Sequence, residues 1–301
     1  MPTLSSRSGP APIVPSLGLN LPYVEGSMDG ATPRWADILA MATTAETLGF
    51  DAVWISDHVG FGDPDGIWSG AWESWTLLSA LAAATTRVRL GTYVTAAPFR
   101  NPALLAKMAE TLDEVSGGRA ILGLGAGWNR AEFEAYGFPY DRRFDRFEEA
   151  LRIVTAMLRT GRADLEGELE TARGARIEPR GPRLGGLPVM VGAAGPRMLR
   201  LTAELADEWN AGMRSLDDLV PLLAAVDAAC DAAGRDPRTL ARSAETLIET
   251  GEGIDVEAVA ERLRRYGALG VAHVQVQLRP NSITGVHAFG PVFDALRDHV
   301  G

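Results

Sequence analysis

The chain has 301 residues, 46% of them hydrophobic, with a mean hydropathy near zero and a formal net charge of −10. That length accommodates a large core and one barrel-sized domain, and the acidity argues against a nucleic-acid or anionic-membrane partner. No apolar run reaches the length of a membrane span, and a single cysteine, Cys230, excludes an internal disulfide, so a cytoplasmic location is expected.

Residues 1–12 read as a flexible arm rather than a signal peptide, because no basic stretch leads into an apolar one. The remaining residues 13–301 read as one domain. A first strand fits "IVPSLGLNL" (13–21), and a helix fits 33–49, where Gly49 is a stop signal. The strand "DAVWISD" (51–57), the helix "WESWTLLSALAAAT" (72–85) and the strand "RVRLGTYV" (87–94) follow. A helix over 101–118 has Pro102 in its first turn and Gly117-Gly118 at its end. The strand "AILGLG" (120–125) leads to a helix over 145–161. Further strands fit 187–192, 207–212, 241–249 and 272–278, and further helices fit 195–206, 215–234, 255–270 and 291–300.

Eight strand–helix units in alternation demand parallel strands with helical crossovers. The predicted fold is therefore α/β, a closed (β/α)8 TIM barrel, with a doubly wound open sheet as the alternative. The charged, weakly periodic segment 162–186 reads as an insertion between helix 4 and strand 5, with room for a hairpin of its own.

In such barrels the reactive groups sit at the C-terminal ends of the strands. Strand one ends in Asn20 and strand two in Asp57 and His58. Strand three ends in "GTYVTAAPFRNP", strand four in "GLGAGWN" and strand five in "VGAAGPR". The last two are glycine-rich turns whose backbone suits a close ligand or a phosphate, although such turns also serve as plain connectors. Arg197 and Arg200 follow the second turn and are equally consistent with solvated surface. An imidazole suits proton transfer near neutral pH, so His58 reads either as an acid–base or as a loop histidine bonded to a carbonyl. His273 alternates with valines inside a strand and reads as barrel interior; His287 and His299 look peripheral. Trp54, Trp72 and Trp75 read as core, and Trp68 as a pocket wall. No histidine–carboxylate set has metal-ligand spacing, and no GxSxG elbow is present. By themselves the residues support a barrel enzyme that binds a phosphorylated ligand, with His58 as its acid–base; they do not name the reaction.

The motifs "GFDAVWISDH", "FRNPALLAKMAETLDEVSGGRAILGLGAGWNRAEFEAYGFP", "RFDRFEEALRIVTAML" and "VMVGAAGPRMLRLTAELADEWNAG" resemble, in order and spacing, the bacterial luciferase-like superfamily. The nearer resemblance is to its coenzyme F420-dependent oxidoreductase branch. It runs from about residue 13 to 212 and more loosely to the C-terminus. The resemblance implies a TIM barrel with an insertion, a homodimer, and a flavin-type ring at the C-terminal mouth that exchanges hydride with substrate. It makes His58 and Asp57 the catalytic pair and implies a non-prolyl cis peptide at Tyr93–Val94 behind the ring. Its phosphate and side-chain contacts map onto Ala126 and Gly127 after strand four, and onto Ala193, Ala194, Gly195 and Arg197 after strand five. Asn20, Asp57, Tyr93, Val94 and Asn129 complete the expected cofactor contacts, with Trp68 and Trp128 as substrate-pocket walls. One departure matters: sugar-phosphate dehydrogenases of this branch carry a catalytic glutamate where this chain has Trp128, so a sugar phosphate is a poor substrate candidate.

The leading expectation is thus an F420-dependent oxidoreductase acting on a small alcohol, carbonyl or activated alkene. An FMNH2-dependent monooxygenase using O2 is the alternative, and a non-catalytic flavin-binding paralogue is the third. A homodimer is expected through helices near strands two to four, including "LLSALAAAT". Substrate choice is expected to lie in the loops after strands one, seven and eight and in segment 162–186.

Overall fold

The computed structural model describes residues 14–62 and 66–297, so the arm at 1–12 and His299 lie outside the described residues. Eight strands form the frame: β1 (Ser16–Asn20), β2 (Ala52–Ile55), β3 (Arg89–Thr92), β4 (Ala120–Gly125), β5 (Val189–Gly192), β6 (Glu208–Met213), β7 (Ala241–Glu249) and β8 (His273–Arg279). Each pairs in parallel with the next, β4 pairs with β5, and β8 returns to β1 with Ser16 opposite His273. The sheet is a closed (β/α)8 TIM barrel. The open-sheet alternative fails on the pairing of β8 with β1, which leaves no edge.

The strands are short and apolar because they are covered on both sides. β2 and β4 are buried along their whole lengths. Around them lie α1 (Trp35–Leu48), α2 (Ser74–Ala84), α3 (Pro102–Ser116), α4 (Arg130–Tyr136), α5 (Arg143–Thr160), α6 (Pro196–Leu205), α7 (Leu216–Ala232), α8 (Val256–Ala268) and α9 (Ile283–Arg297). Local signals set their ends. The Asn101 side chain caps α3 by accepting from the Leu104 N–H at 3.1 Å, and Gly117 ends it with φ 67°. Ser215 caps α7 in the same way through the Asp218 N–H.

Two features depart from the expected elements. The last helix begins at Ile283, not at Pro291, which lies inside it. Proline marks helix starts, but here the preceding turn is stabilised by burial: Gly285, Val286 and Phe289 are buried, and Phe289 packs on Phe50. Two short elements also have no counterpart among those expected: Gly60–Gly62 pairs antiparallel with Trp68–Gly70 after β2, and α4 follows β4. Residues 162–186 contain an antiparallel hairpin, Arg162–Glu166 with Thr171–Arg176. Its return is tied to the barrel by ion pairs from Arg180 to Glu110 and from Arg183 to Asp113. Among the described residues no helix is long and apolar enough to cross a membrane.

The barrel interior is filled by Trp54. A Cβ on Gly18 or Gly91 would lie 2.2 or 2.1 Å from its indole, so both neighbours must be glycine. Trp54 forms a small cluster with Ala52, Ile121 and Met190, and Tyr93 and Val94 pack against that cluster. This plug is the floor on which the mouth is built.

Candidate active site

Above the plug the mouth opens into two lobes that share Tyr93 and Glu245. The first, about 350 Å³, includes Asn20, Tyr23, His58, Phe61, Trp128 and Asn281 in its wall. The second, about 310 Å³, is bounded by Val94, the small residues Gly192, Ala193, Ala194 and Gly212, and Arg214. Both fall in the size range of small-molecule sites. A groove of about 460 Å³ lies elsewhere, between α2 and α3, but it offers no histidine and only Glu73 and Lys107 as charged groups. The mouth gathers more titratable side chains: Tyr23, His58, Tyr93, Arg214 and Glu245.

Asp57 and His58 are adjacent in sequence and point to different environments. Asp57 is 2% exposed and lines neither lobe. Its oxygens accept from Arg100 at 2.6 and 3.0 Å, from the Ser74 hydroxyl at 2.7 Å and from the Ala96 N–H at 3.2 Å. Arg100 also donates to Glu73, the cap of α2. The cluster fastens the end of β2 to the start of α2 and to the loop after β3.

His58 faces the first lobe, its ring 4.5 Å from Phe61 and 5.5 Å from Trp128 between centroids. Its Nδ1 lies 2.8 Å from Oε1 of Glu132, whose other oxygen accepts the Val59 N–H at 3.1 Å. Glu132 is 1% exposed and comes from α4. A carboxylate accepting from Nδ1–H leaves Nε2 as the nitrogen available to a ligand. This carboxylate was not among the expected site residues. The expected neighbour, Asp57, makes no bond to the ring that parallels it.

The Tyr93–Val94 peptide is cis. Val94 fits there because Gly125 lacks a side chain; a Cβ at Gly125 would lie 2.7 Å from Val94 Cγ2. Thr95–Ala96 then pairs with the end of β4, returning the chain to the sheet. The Tyr93 hydroxyl donates to Asn210 Oδ1 at 3.1 Å and lies 3.4 Å from Glu245 Oε2. Asn20 Nδ2 donates to Glu245 Oε1 at 2.7 Å. Burial pushes the Glu245 carboxyl up to about 6 and the Tyr93 phenol well above its ordinary range.

The other expected residues divide. Asn20, Tyr93, Trp128 and His58 line the first lobe; Tyr93, Val94, Ala193 and Ala194 line the second. Ala126 is buried in the loop after β4, and Gly127 there takes φ 74° under the Phe133 ring, its carbonyl accepting from Arg143 Nε at 3.2 Å. Gly195 is the residue before α6, and Arg197 is held by ion pairs to Asp145 and Glu148. The Asn129 amide is committed to the Gly60 carbonyl at 3.0 Å, so it secures the hairpin. Trp68 covers Gly60 and stacks on Tyr136 outside both lobes; Phe61 of the same hairpin faces the cavity instead. Segment 162–186 contributes to neither lobe. Among the described residues no cluster could hold a metal ion.

The residues fit the polar edge of a flavin-type ring. Asn20 Oδ1, Ser27 Oγ and Asn281 Oδ1 are buried in the wall of the first lobe without a hydrogen-bond partner, and such atoms are costly unless a ligand pairs them.

Comparison with known proteins agrees with this geometry. The model of the luciferase-like monooxygenase family matches residues 16–282. A phthiodiolone/phenolphthiodiolone dimycocerosates ketoreductase of Mycobacterium tuberculosis strain H37Rv is 33% identical over 281 residues, covering 84% of this chain and 72% of that protein. The fold is similar to an F420-dependent secondary alcohol dehydrogenase in complex with an F420–acetone adduct (TM-score 0.80, 20% identity, 95% of this chain and 100% of that one). It is also similar to the coenzyme F420-dependent tetrahydromethanopterin reductase of Methanopyrus kandleri (TM-score 0.77, 20% identity, 96% and 100%). The barrel, its mouth and the family match together make this chain an enzyme of the luciferase-like monooxygenase family.

Proposed function

We propose that this enzyme binds coenzyme F420 in its mouth and transfers a hydride between it and a small organic substrate, an alcohol, carbonyl or activated alkene. The observation that carries the reading is His58. Among the described residues it is the one imidazole in the lobe walls, tied by Nδ1 to a buried carboxylate, which leaves Nε2 for a ligand. F420 supplies the hydride donor or acceptor at its central ring. His58 gives a proton to, or takes one from, the substrate oxygen that gains or loses charge, and Glu132 fixes its tautomer and stabilises the imidazolium. Asp57 positions the loop that presents His58. Tyr93 and Val94 form the floor under the ring, and the start of α6 at Gly195 suits a phosphate. Trp128 and Phe61 give the substrate side an apolar wall.

Similarity to two F420-dependent enzymes supports F420, and similarity to a ketoreductase supports a carbonyl or alcohol. The reading extends to a homodimer formed through the α2–α3 face, where Leu104 and Val115 are exposed. Equilibrium titration with F420 and with FMN tests it. F420 is expected to bind at least about tenfold more tightly; micromolar binding of FMN without binding of F420 assigns the chain to the flavin monooxygenases instead.

A further inference from the structure

Glu245 was singled out by nothing in the sequence, yet it occupies the boundary between the lobes. Among the described residues it is the only carboxylate that lines either of them, and it lines both. The hydrogen bonds around it determine where its proton sits. Asn210 Oδ1 accepts the Gly212 N–H at 2.7 Å, which fixes the orientation of the Asn210 amide. The Asn210 Nδ2 accordingly donates to Ser243 Oγ at 3.0 Å and to Gln275 Oε1 at 3.1 Å. The Tyr93 hydroxyl has one proton, and Asn210 Oδ1 takes it at 3.1 Å. The phenol oxygen is then an acceptor. Its 3.4 Å approach to Glu245 Oε2 becomes a hydrogen bond when that oxygen carries a proton. The other oxygen, Oε1, already accepts from Asn20.

The surroundings leave this proton within reach of neutral pH. Tyr23 and Tyr93 face the carboxyl from the loops after β1 and β3, and both phenols are held neutral by burial. β8 brings Gln275 opposite Glu245 and Gln277 to the lobe wall, both uncharged. His58, backed by Glu132, lies in the wall of the first lobe, and among the described residues Arg214 after β6 is the only cation lining the second. Burial raises the carboxyl and the Asn20 and Tyr93 contacts lower it, which leaves it at about 6.

We propose that Glu245 is a second acid–base residue of the cavity, carrying a proton on Oε2 and passing it to an electron-rich oxygen or nitrogen of the bound ligand. This rests on the reading of the mouth as the coenzyme-and-substrate site. In the step the Oε2–H bond breaks and an X–H bond forms on the ligand. The carboxylate left behind keeps the Asn20 donor and gains the Tyr93 O–H by rotation of the phenol. Solvent at the open mouth returns the proton, and no electrons change hands.

Infrared difference spectroscopy on the full chain tests this. The carbonyl stretch of a protonated carboxylic acid is expected to titrate near pH 6 in the wild type and to be missing in Glu245→Gln. Adding oxidised F420 is expected to shift or abolish the band. If F420 binds, as followed by its fluorescence, and leaves the band unmoved, Glu245 does not touch the ligand and the proposal is overturned. If F420 does not bind, the reading of the function fails separately, and FMN replaces it: a shifted band sustains Glu245, an unmoved one overturns it. A wild-type spectrum without a Glu245 band between pH 5 and 7 also overturns it.

Discussion

Two histidines sit at opposite ends of the same barrel, and they differ in what their second nitrogen can do. His273 begins β8 at the closed end, and both ring nitrogens are occupied. Nδ1 lies 2.7 Å from the Ser16 hydroxyl, and Nε2 accepts from Trp54 Nε1 at 3.1 Å. Burial, with Arg89 nearby, drives its imidazolium form down to about 3, so the ring stays neutral. His58 follows β2 at the open end, with one nitrogen tied to Glu132 and the other open to a cavity. The first is a packing element that carries a hydrogen bond; the second is, under the proposed function, a reagent. Burial and saturation separate them, which residue type cannot do.

The sharpest way to break that contrast is to delete each ring. His58→Ala is expected to lower turnover by about 10²- to 10⁴-fold, the usual contribution of general acid–base catalysis, with an unchanged melting temperature. Unaltered turnover with an active substrate would return His58 to the structural class. His273→Ala is expected to do the reverse. It leaves Trp54 Nε1 unpaired in the barrel and opens a void, costing about 2–3 kcal/mol in chemical denaturation at pH 7.5 while activity per folded molecule persists.

Acid sharpens the same comparison. The folded-state value of His273 lies below the 6.5 of a free imidazole. The stability it confers is therefore complete above about pH 6.5 and is lost as pH falls toward 3. Denaturation curves of wild type and His273→Ala should converge on acidification; curves that stay parallel would show that the ring titrates normally. Glu245 has the opposite sign. Its folded value of about 6 exceeds the ordinary 4.5, so its contribution is present below pH 4.5 and lost as pH rises through 6. Glu245→Gln escapes that loss and is expected to gain up to about 2 kcal/mol on wild type between pH 4.5 and 7.5. A smaller effect is expected from Glu132→Gln. It keeps one acceptor for His58 Nδ1 but not the charge, and sets its NH2 against the Val59 N–H; about tenfold of kcat should go with little change in KM.

The barrel was legible because its strands are buried on both faces and its helices carry local stop signals. The strands 120–125 and 241–249 have the bounds expected from sequence. Alternation of units could not show the chain ends meeting; that needed the pairing of Ser16 with His273. The last helix was misread because Pro291 marks a start in isolation, while Phe289 and Val286 extend the helix upstream through contacts far along the chain. Asp57 and His58 were legible by their place after β2, but their division of labour was not. Arg100, 43 residues on, claims the aspartate, and Glu132, 74 residues on, claims the histidine. Glu245 lay inside a correctly bounded strand. Its signal, polar Ser243 and Glu245 at alternate positions of a strand, has meaning only once β7 is known to face the mouth.

The most direct test of the central claim is a crystal structure with F420 bound. The deazaflavin is expected to lie over Tyr93 and Val94, with His58 Nε2 within hydrogen-bond reach of the space beside its central ring and Asn20, Ser27 or Asn281 paired to its polar edge. A coenzyme seated in the α2–α3 groove, or an imidazole turned away from the ring, would contradict it.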